Sequence, residues 1–192
     1  MAATVIDAGR RVFTNLKSII FTPWKSESEL GTESYDLVNI VGDTTSVEQA
    51  DNDVQTIEHE FSSSPLYEAV TYGDKTFTCE CIDFQNDVLK NLFGWDVQEG
   101  GDAFAPLDYK DLFCKVEMQF NSTDDIVVLP KLKMNSKAVL SSLKTDASRG
   151  TISGTCYPAF VKAGTKEAKT DMAIISSTNA KTYSVSATAV GS

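Results

Sequence analysis

The amino-acid sequence predicts a mainly β fold, an antiparallel sheet with one helix laid against it, and two observations carry that prediction. From Lys75 to Trp95 a two-residue hydrophobic period gives way to a helical one, so that a strand runs into a helix. Elsewhere apolar residues alternate over short runs bounded by Gly, Asp, Ser and Pro, the rhythm of strands joined by turns.

In the strand-to-helix stretch, Phe77, Cys79 and Cys81 share one face while Thr76, Thr78 and Glu80 take the other. Phe84, Val88, Leu89, Leu92 and Phe93 then form a stripe that predicts a helix at about residues 84–93, with Asp83 or Asn86 as N-cap and Gly94 just past its end. Isolated helices shorter than roughly 12 to 15 residues are marginal in water, so this stripe must lie on the sheet.

Upstream, Val12, Phe13, Leu16, Ile19 and Ile20 fit a helix while KSIIFTPW reads as a strand ended by Pro23, with the strand from about Lys17 to Phe21 preferred; KSESELGTES reads as a polar loop, and YDLVNIVG as a strand with apolar residues on both faces. The Asp- and Thr-rich GDTTSVEQADND has almost nothing to bury and reads as an exposed loop or long hairpin tip. DVQTIEHEF resumes as a strand with Ile57, His59 and Phe61 on one face; SSSP turns the chain, and LYEAVTY leads back to the central strand. After the helix, GWDVQEGGDAFAPLDY is loop or a weak hairpin around Gly100 and Gly101. KDLFCKVEMQF alternates Leu112, Cys114, Val116, Met118 and Phe120 against Lys115, Glu117 and Gln119, the clearest strand in the chain. NSTDD turns into IVVLPKLKM, where Pro130 suggests an edge or a bulge. GTISGTCYPAF is a further strand, and the Ala-, Ser- and Thr-rich end carries short strands at most, at MAII and TYSVSA.

A chain of 192 residues fits one domain able to bury a sizeable core, and 42% hydrophobic with 23% charged residues describes an ordinary globular protein. No apolar run approaches a membrane span, and Ile19–Phe21, after Arg10 and Arg11, is too short for a signal-peptide core; the expectation is a protein made and kept in a cytoplasm, with no membrane partner. Cys79, Cys81, Cys114 and Cys156 contain a C-x-C but no C-x-x-C, so buried thiols are expected rather than a metal or redox site.

Charge is unevenly spread. The net of −10 divides into +3 over residues 1–25, twelve carboxylates with no Lys or Arg from Ser26 to Asp74, −7 over 75–130 and +6 over 131–192. An acidic segment and a basic final third suit pairing within the chain or attraction between copies, and the acidic balance argues against a nucleic-acid-binding module. His59 lies between Glu58 and Glu60, which face the opposite side of a strand, so nothing reactive is placed beside it. Asp51 and Asp53 come nearest to a calcium loop but lack its Gly and terminal Glu, and there is neither a phosphate-binding loop nor a G-x-S-x-G elbow. No catalytic residue, metal site or cofactor is therefore expected, and no enzymatic activity.

The order of features resembles the tail-tube proteins of long-tailed bacteriophages, a family that shares its fold with the tube protein of the type six secretion system. The likeness is carried by YDLVNIVGDTTSVEQADNDVQTIEHEF, by TYGDKTFTCECIDFQNDVLKNLFGW, and by DLFCKVEMQF through GTISGTCYPAF. It covers about residues 35 to 160 of a single domain, leaving 1–34 as an N-terminal segment and 161–192 as a candidate C-terminal arm. The resemblance implies an antiparallel β-sandwich or partial barrel with one flanking helix. It also implies hexameric rings stacked into a tube, with other tail proteins as partners, assembled in the host cytoplasm and carried in the virion tail, through which double-stranded DNA passes without specific binding. The acidic candidates for inter-subunit or lumen positions are Asp43, Glu48, Asp51, Asp53, Glu58 and Glu60; the basic ones are Lys131, Lys133 and Lys137. Two alternatives are the inner tube of a contractile injection or type six secretion system, and a carbohydrate-binding or adhesin module resting on Trp24 and Trp95. A hydrolase ranks below both, for want of a nucleophile and base.

Overall fold

A computed structural model describes residues 13–37, 39–58, 65–82, 84–108, 111–139 and 148–189. Among them the chain is mainly β, with antiparallel sheets, one short helix and no closed barrel. The elements run β1 (Leu16–Pro23), β2 (Tyr35–Leu37), β3 (Ser46–Gln49), β4 (Asp53–Glu58), β5 (Pro65–Thr71), β6 (Lys75–Cys81) and α1 (Asn86–Leu92). They continue with β7 (Asp96–Val97), β8 (Ala103–Phe104), β9 (Phe113–Phe120), β10 (Thr123–Met134), β11 (Lys137–Val139), β12 (Arg149–Tyr157), β13 (Ala159–Ala163), β14 (Lys166–Thr170), β15 (Ala173–Ile175) and β16 (Ser184–Ser186).

Two compact units divide the chain, one from Met1–Val38, Lys115–Pro130 and Pro158–Ser192, the other from Asn39–Cys114 and Lys131–Tyr157. In the first, the strand order is β2-β1-β9-β10, and β15 pairs with β10 through Ile126↔Ile175 and Val128↔Ala173. A three-stranded sheet, β14-β13-β16, packs Val161 with Ile126, Val128 and Ile175 in a buried cluster that Val185 flanks. This sheet-on-sheet arrangement is sandwich-like. It explains why IVVL reads as a continuous apolar run: Ile126, Val127, Val128 and Leu129 are all buried. Residues 161–189 thus hold the end of β13 and all of β14, β15 and β16, and they bury Val161 and Ile175.

In the second unit the order is β10-β12-β6-β3, with β11 on the end of β12. Phe77, Cys79, Cys81, Leu132, Met134 and Ile152 form its buried face, as the alternation predicted for β6 requires. Helix α1 turns Val88, Leu89 and Leu92 inward, and Phe93 lies so close to Gly150 of β12 that a Cβ there would stand 2.5 Å from the ring. Gly94, at φ +71°, ends the helix, with Trp95 N–H donating to Leu89 O at 3.0 Å.

Several expectations change. The N-cap is Gln85, in an extended conformation with no side-chain capping bond, and Asn86 is already helical; Asp83 lies outside the described residues. Part of GDTTSVEQADND is strand, because Val47 gives β3 one side chain to place opposite Phe77. Pro130 is not on an edge strand but buried in an interior one, at the gap between two ladders: β10 pairs with β15 over Ile126–Val128 and with β12 from Lys131. The weak hairpin around Gly100 and Gly101 is β7 and β8, with Gly101 at φ +90°. The face of Ile57, His59 and Phe61, and the SSS of the turn, lie outside what is described of β4 and its return.

Candidate functional site

Strands β4 and β5 form a sheet of their own, pairing from Asp53↔Thr71 to Ile57↔Tyr67 with a register shift between Ile57 and Glu58. Among the described residues neither pairs with a third strand. An isolated two-stranded hairpin is marginal in water, and this one also places Val54 directly opposite Val70 with the two 50% and 48% exposed. Tyr72, two residues beyond Val70, is 76% exposed. The base of the hairpin is firmly closed. Ala50 N–H donates to Asp74 O at 2.9 Å, Gly73 N–H donates to Asn52 Oδ1 at 3.2 Å, and a Cβ on Gly73 would stand 2.1 Å from Ala50 O. Only glycine permits that approach.

The acidic candidates are spread from the turn before β3, along β3, to the base of this hairpin. Asp51 and Asp53 are exposed at its base, Glu48 is exposed on β3, and Asp43 is exposed in a turn at φ +61°. Glu58 is on β4 with its side chain outside the description, as is the whole of Glu60. The basic candidates fall elsewhere in the same unit. Lys133 pairs with Asp111 at 2.8 Å, Lys131 lies 4.6 Å above the Phe113 ring, and Lys137 is exposed on β11.

Register joins the two sets across the polar face of the second unit's sheet. Lys133 opposes Thr155, Thr155 opposes Thr76 and Thr76 opposes Glu48, so all four side chains share one face. Three strand spacings, about 14 Å, separate Lys133 from Glu48, too far for an ion pair. A parallel row runs Lys137, Thr151, Glu80, and Arg149 holds Glu80 at 3.3 Å. The face is therefore hydroxyl-rich with charges of both signs.

In the first unit a cleft of about 510 Å³ is lined by Lys17, Glu117, Asp124, Asp125, Ser177 and Lys181, among others. Beside it Lys115 and Glu117 form an ion pair at 13% and 16% side-chain exposure, and Lys115 Nζ reaches Tyr183 Oη at 3.3 Å. Burial, and then the hydrogen bond to Glu117, push the Tyr183 phenol far above its ordinary range, so it remains a neutral donor. That cluster fastens the start of β16 to β9. None of the four cysteines is in a disulfide and all are buried, and burial pushes the Cys114 thiol up to about 12, which makes it inert. Among the described residues no group of three or more His, Cys, Asp or Glu side chains is placed to hold a metal ion, and no helix is long and apolar enough to cross a membrane.

Sequence reasoning found the acid of the hairpin and missed its apolar face. The signal was present: Val54, Val70 and Tyr72 sit at alternate positions of DVQTIE and AVTY, but a two-residue period alone does not say whether a partner strand or sheet covers them.

No protein-family model matches the chain, and no curated protein matches it. Among solved structures it is similar to a chain in the six-fold symmetrised cryo-electron microscopy structure of the anti-feeding prophage baseplate. Identity is 11% and the TM-score 0.45, over 88% of this chain and 97% of that one. A likeness so distant assigns nothing to this chain.

Proposed function

We propose that the chain is a structural subunit that self-assembles, and that its assembly is the tube of a phage tail: hexameric rings stacked into a conduit for DNA. The observation that carries this reading is the β4–β5 hairpin, which among the described residues pairs with no third strand and leaves Val54, Val70 and Tyr72 in water. Apolar surface held out on an acidic hairpin is more economical in an assembly than in a monomer. The sequence resemblance over residues 35 to 160 supplies the ring and tube, and the separation of acid from base along the chain supplies attraction between copies.

The polar face of the second unit suits a conduit wall. Its Thr and Ser hydroxyls carry no charge, Glu80 and Lys133 are each held by a partner, and Glu48 repels phosphate over a Debye length of about 8 Å. DNA would meet little to adhere to. The role is non-catalytic, exercised in the virion after assembly with other tail proteins in the host cytoplasm.

Negative-stain microscopy of the purified protein across a concentration series, with light scattering for mass, tests this directly. Rings or hollow tubes are expected. A strict monomer at every concentration, even with preformed tail components added as seeds, would overturn it.

A further inference from the structure

Strand β16 holds its place in the first unit through a short ladder. It pairs with β13 over three residues, Phe160↔Ser186, Val161↔Val185 and Lys162↔Ser184. From β15 the chain reaches it through Ser176 to Tyr183, a turn in which Ala180 N–H donates to Ser176 O and Tyr183 N–H to Asn179 O, both at 2.9 Å. Ser177, Thr178, Lys181 and Thr182 of that turn are exposed. The cleft of about 510 Å³ is lined by Ser177, Ala180 and Lys181 of the turn and, from β9 and β10, by Glu117, Gln119 and Asp125 among others. Side chains that line a cleft lack packing partners on that side, so the turn is only partly supported. Few contacts fasten the segment. Ser177 N–H donates to Asp125 Oδ1 at 2.9 Å, Tyr183 meets Lys115 and Glu117, and the partly buried Ala180, Tyr183 and Val185 pack on the cluster of Ile126, Val128, Val161 and Ile175.

We propose that β16 is passed from copy to copy on assembly: residues 176–189 of one copy leave their own seat and fill the same seat on the next, β16 pairing with that neighbour's β13. The proposal rests on the self-assembly reading and deepens it by naming the strand that links the copies. An open seat is unfavourable, because lifting the segment uncovers the apolar cluster and bares one edge of β13. A second copy is the occupant because its residues 176–189 are the segment whose fit the structure displays. The exchanged seat keeps the ladder, the Tyr183 contacts and the packing of Val185, so neither chain loses a contact. The turn supplies the reach. Fully extended, the eight residues from Ser176 to Tyr183 span about 26 Å, which carries β16 to a neighbour while β15 stays paired with β10. Passed head to tail, the strand leaves one open seat at one end of the growing assembly and one unplaced strand at the other, which is what continues a ring or filament. In the single copy Tyr183 is the catch that keeps the strand at home.

The test uses the full chain carrying Lys162→Cys with Ser184→Cys, positions that oppose one another across the β13–β16 ladder and so lie within reach of a disulfide. Both alternate with the inward-facing Val161 and Val185, and the four native cysteines are buried, so the wild type is the blank. Oxidised with diamide below its assembly concentration, the double variant should close the bond within one chain and fail to assemble where the reduced protein does. Assembled first and then oxidised, it should give ladders of covalently joined chains, trimers and larger, on a non-reducing gel. An equimolar assembly of the two single variants should give joined pairs on oxidation, while neither single variant alone does. Wild-type tubes with bonds that stay within one chain or stop at dimers, or a locked monomer that assembles as readily as the reduced one, would sink the exchange and leave the self-assembly reading standing. A wild type that never assembles would remove both.

Discussion

Two antiparallel hairpins in one chain each place a valine at mid-strand, and the valines meet opposite fates. β13 and β14, in the first unit, send Val161 into a buried cluster at 5% exposure; β4 and β5, in the second, leave Val54 and Val70 at 50% and 48%. Burying a valine is worth roughly 1.5–3 kcal/mol, so the first hairpin contributes to folding while the second withholds a comparable amount. That withheld energy is available to a partner. On the proposed reading, the exposed, paired valines on a closed base are where association would begin.

The comparison breaks most easily at the valines themselves. Val161→Asp should cost about 4 kcal/mol or more by burying an unpaired charge, whereas Val54→Asp should change monomer stability by less than about 0.5 kcal/mol, as judged by urea unfolding. Equal costs would mean that the β4–β5 hairpin is covered within the monomer.

Buried groups should also register alkaline pH. The folded-state pKa of Cys114 is raised by burial from an ordinary 9.0 to about 12, so the native state holds its proton where the unfolded state releases it. The stabilising contribution is whole below pH 9.0 and is lost between there and about 12, on the order of 1 kcal/mol per pH unit. Cys79, shifted upward by burial and by Cys81, adds to the same slope. Melting curves taken from neutral to alkaline pH should show it, and Cys114→Ala should flatten it; an unchanged slope would place that thiol in water.

Next in size is the base of the exposed hairpin. Gly73→Ala would drive a Cβ to 2.1 Å from the Ala50 carbonyl, which only a backbone shift relieves, at about 1–3 kcal/mol. If the hairpin is an assembly arm, that variant should lose assembly beyond its loss of stability, because Asp51 and Asp53 move with the base. Tyr183→Phe should cost less, about 1 kcal/mol, by removing the hydroxyl that meets Lys115 and Glu117 while keeping the ring against the lysine. Denaturant unfolding measures it, and no change would show the phenol to be solvated.

Much of this architecture was legible because β6, β9, β10 and β12 each bury one face or both, and burial writes itself into the sequence as alternation or as an apolar run. The helix was legible for the same reason, through Val88, Leu89 and Leu92. Elements held by backbone pairing alone were not: β14, KEAKT, has no apolar alternation, and β3 shows only Val47. The acid of the candidate site could be read as composition. Its partners could not, because the ion pairs of Lys133 with Asp111 and of Arg149 with Glu80 join residues 22 and 69 positions apart, and only the fold brings them together.

The smallest expected effect separates two meanings of a lysine. Lys133 is 34% exposed and Asp111 56%, so their ion pair is screened, and Lys133→Ala should cost the monomer between about 0 and 1 kcal/mol. If Lys133 served the contact between copies, the same change would raise the concentration needed for assembly far more than it lowers stability. If Lys133 only holds Asp111 of its own chain, assembly by Lys133→Ala should match the wild type. Measuring assembly and denaturant unfolding of that variant over one concentration series separates the two meanings. A lysine already held by its own chain has less charge to offer a neighbour, and the assembly curve reports that difference.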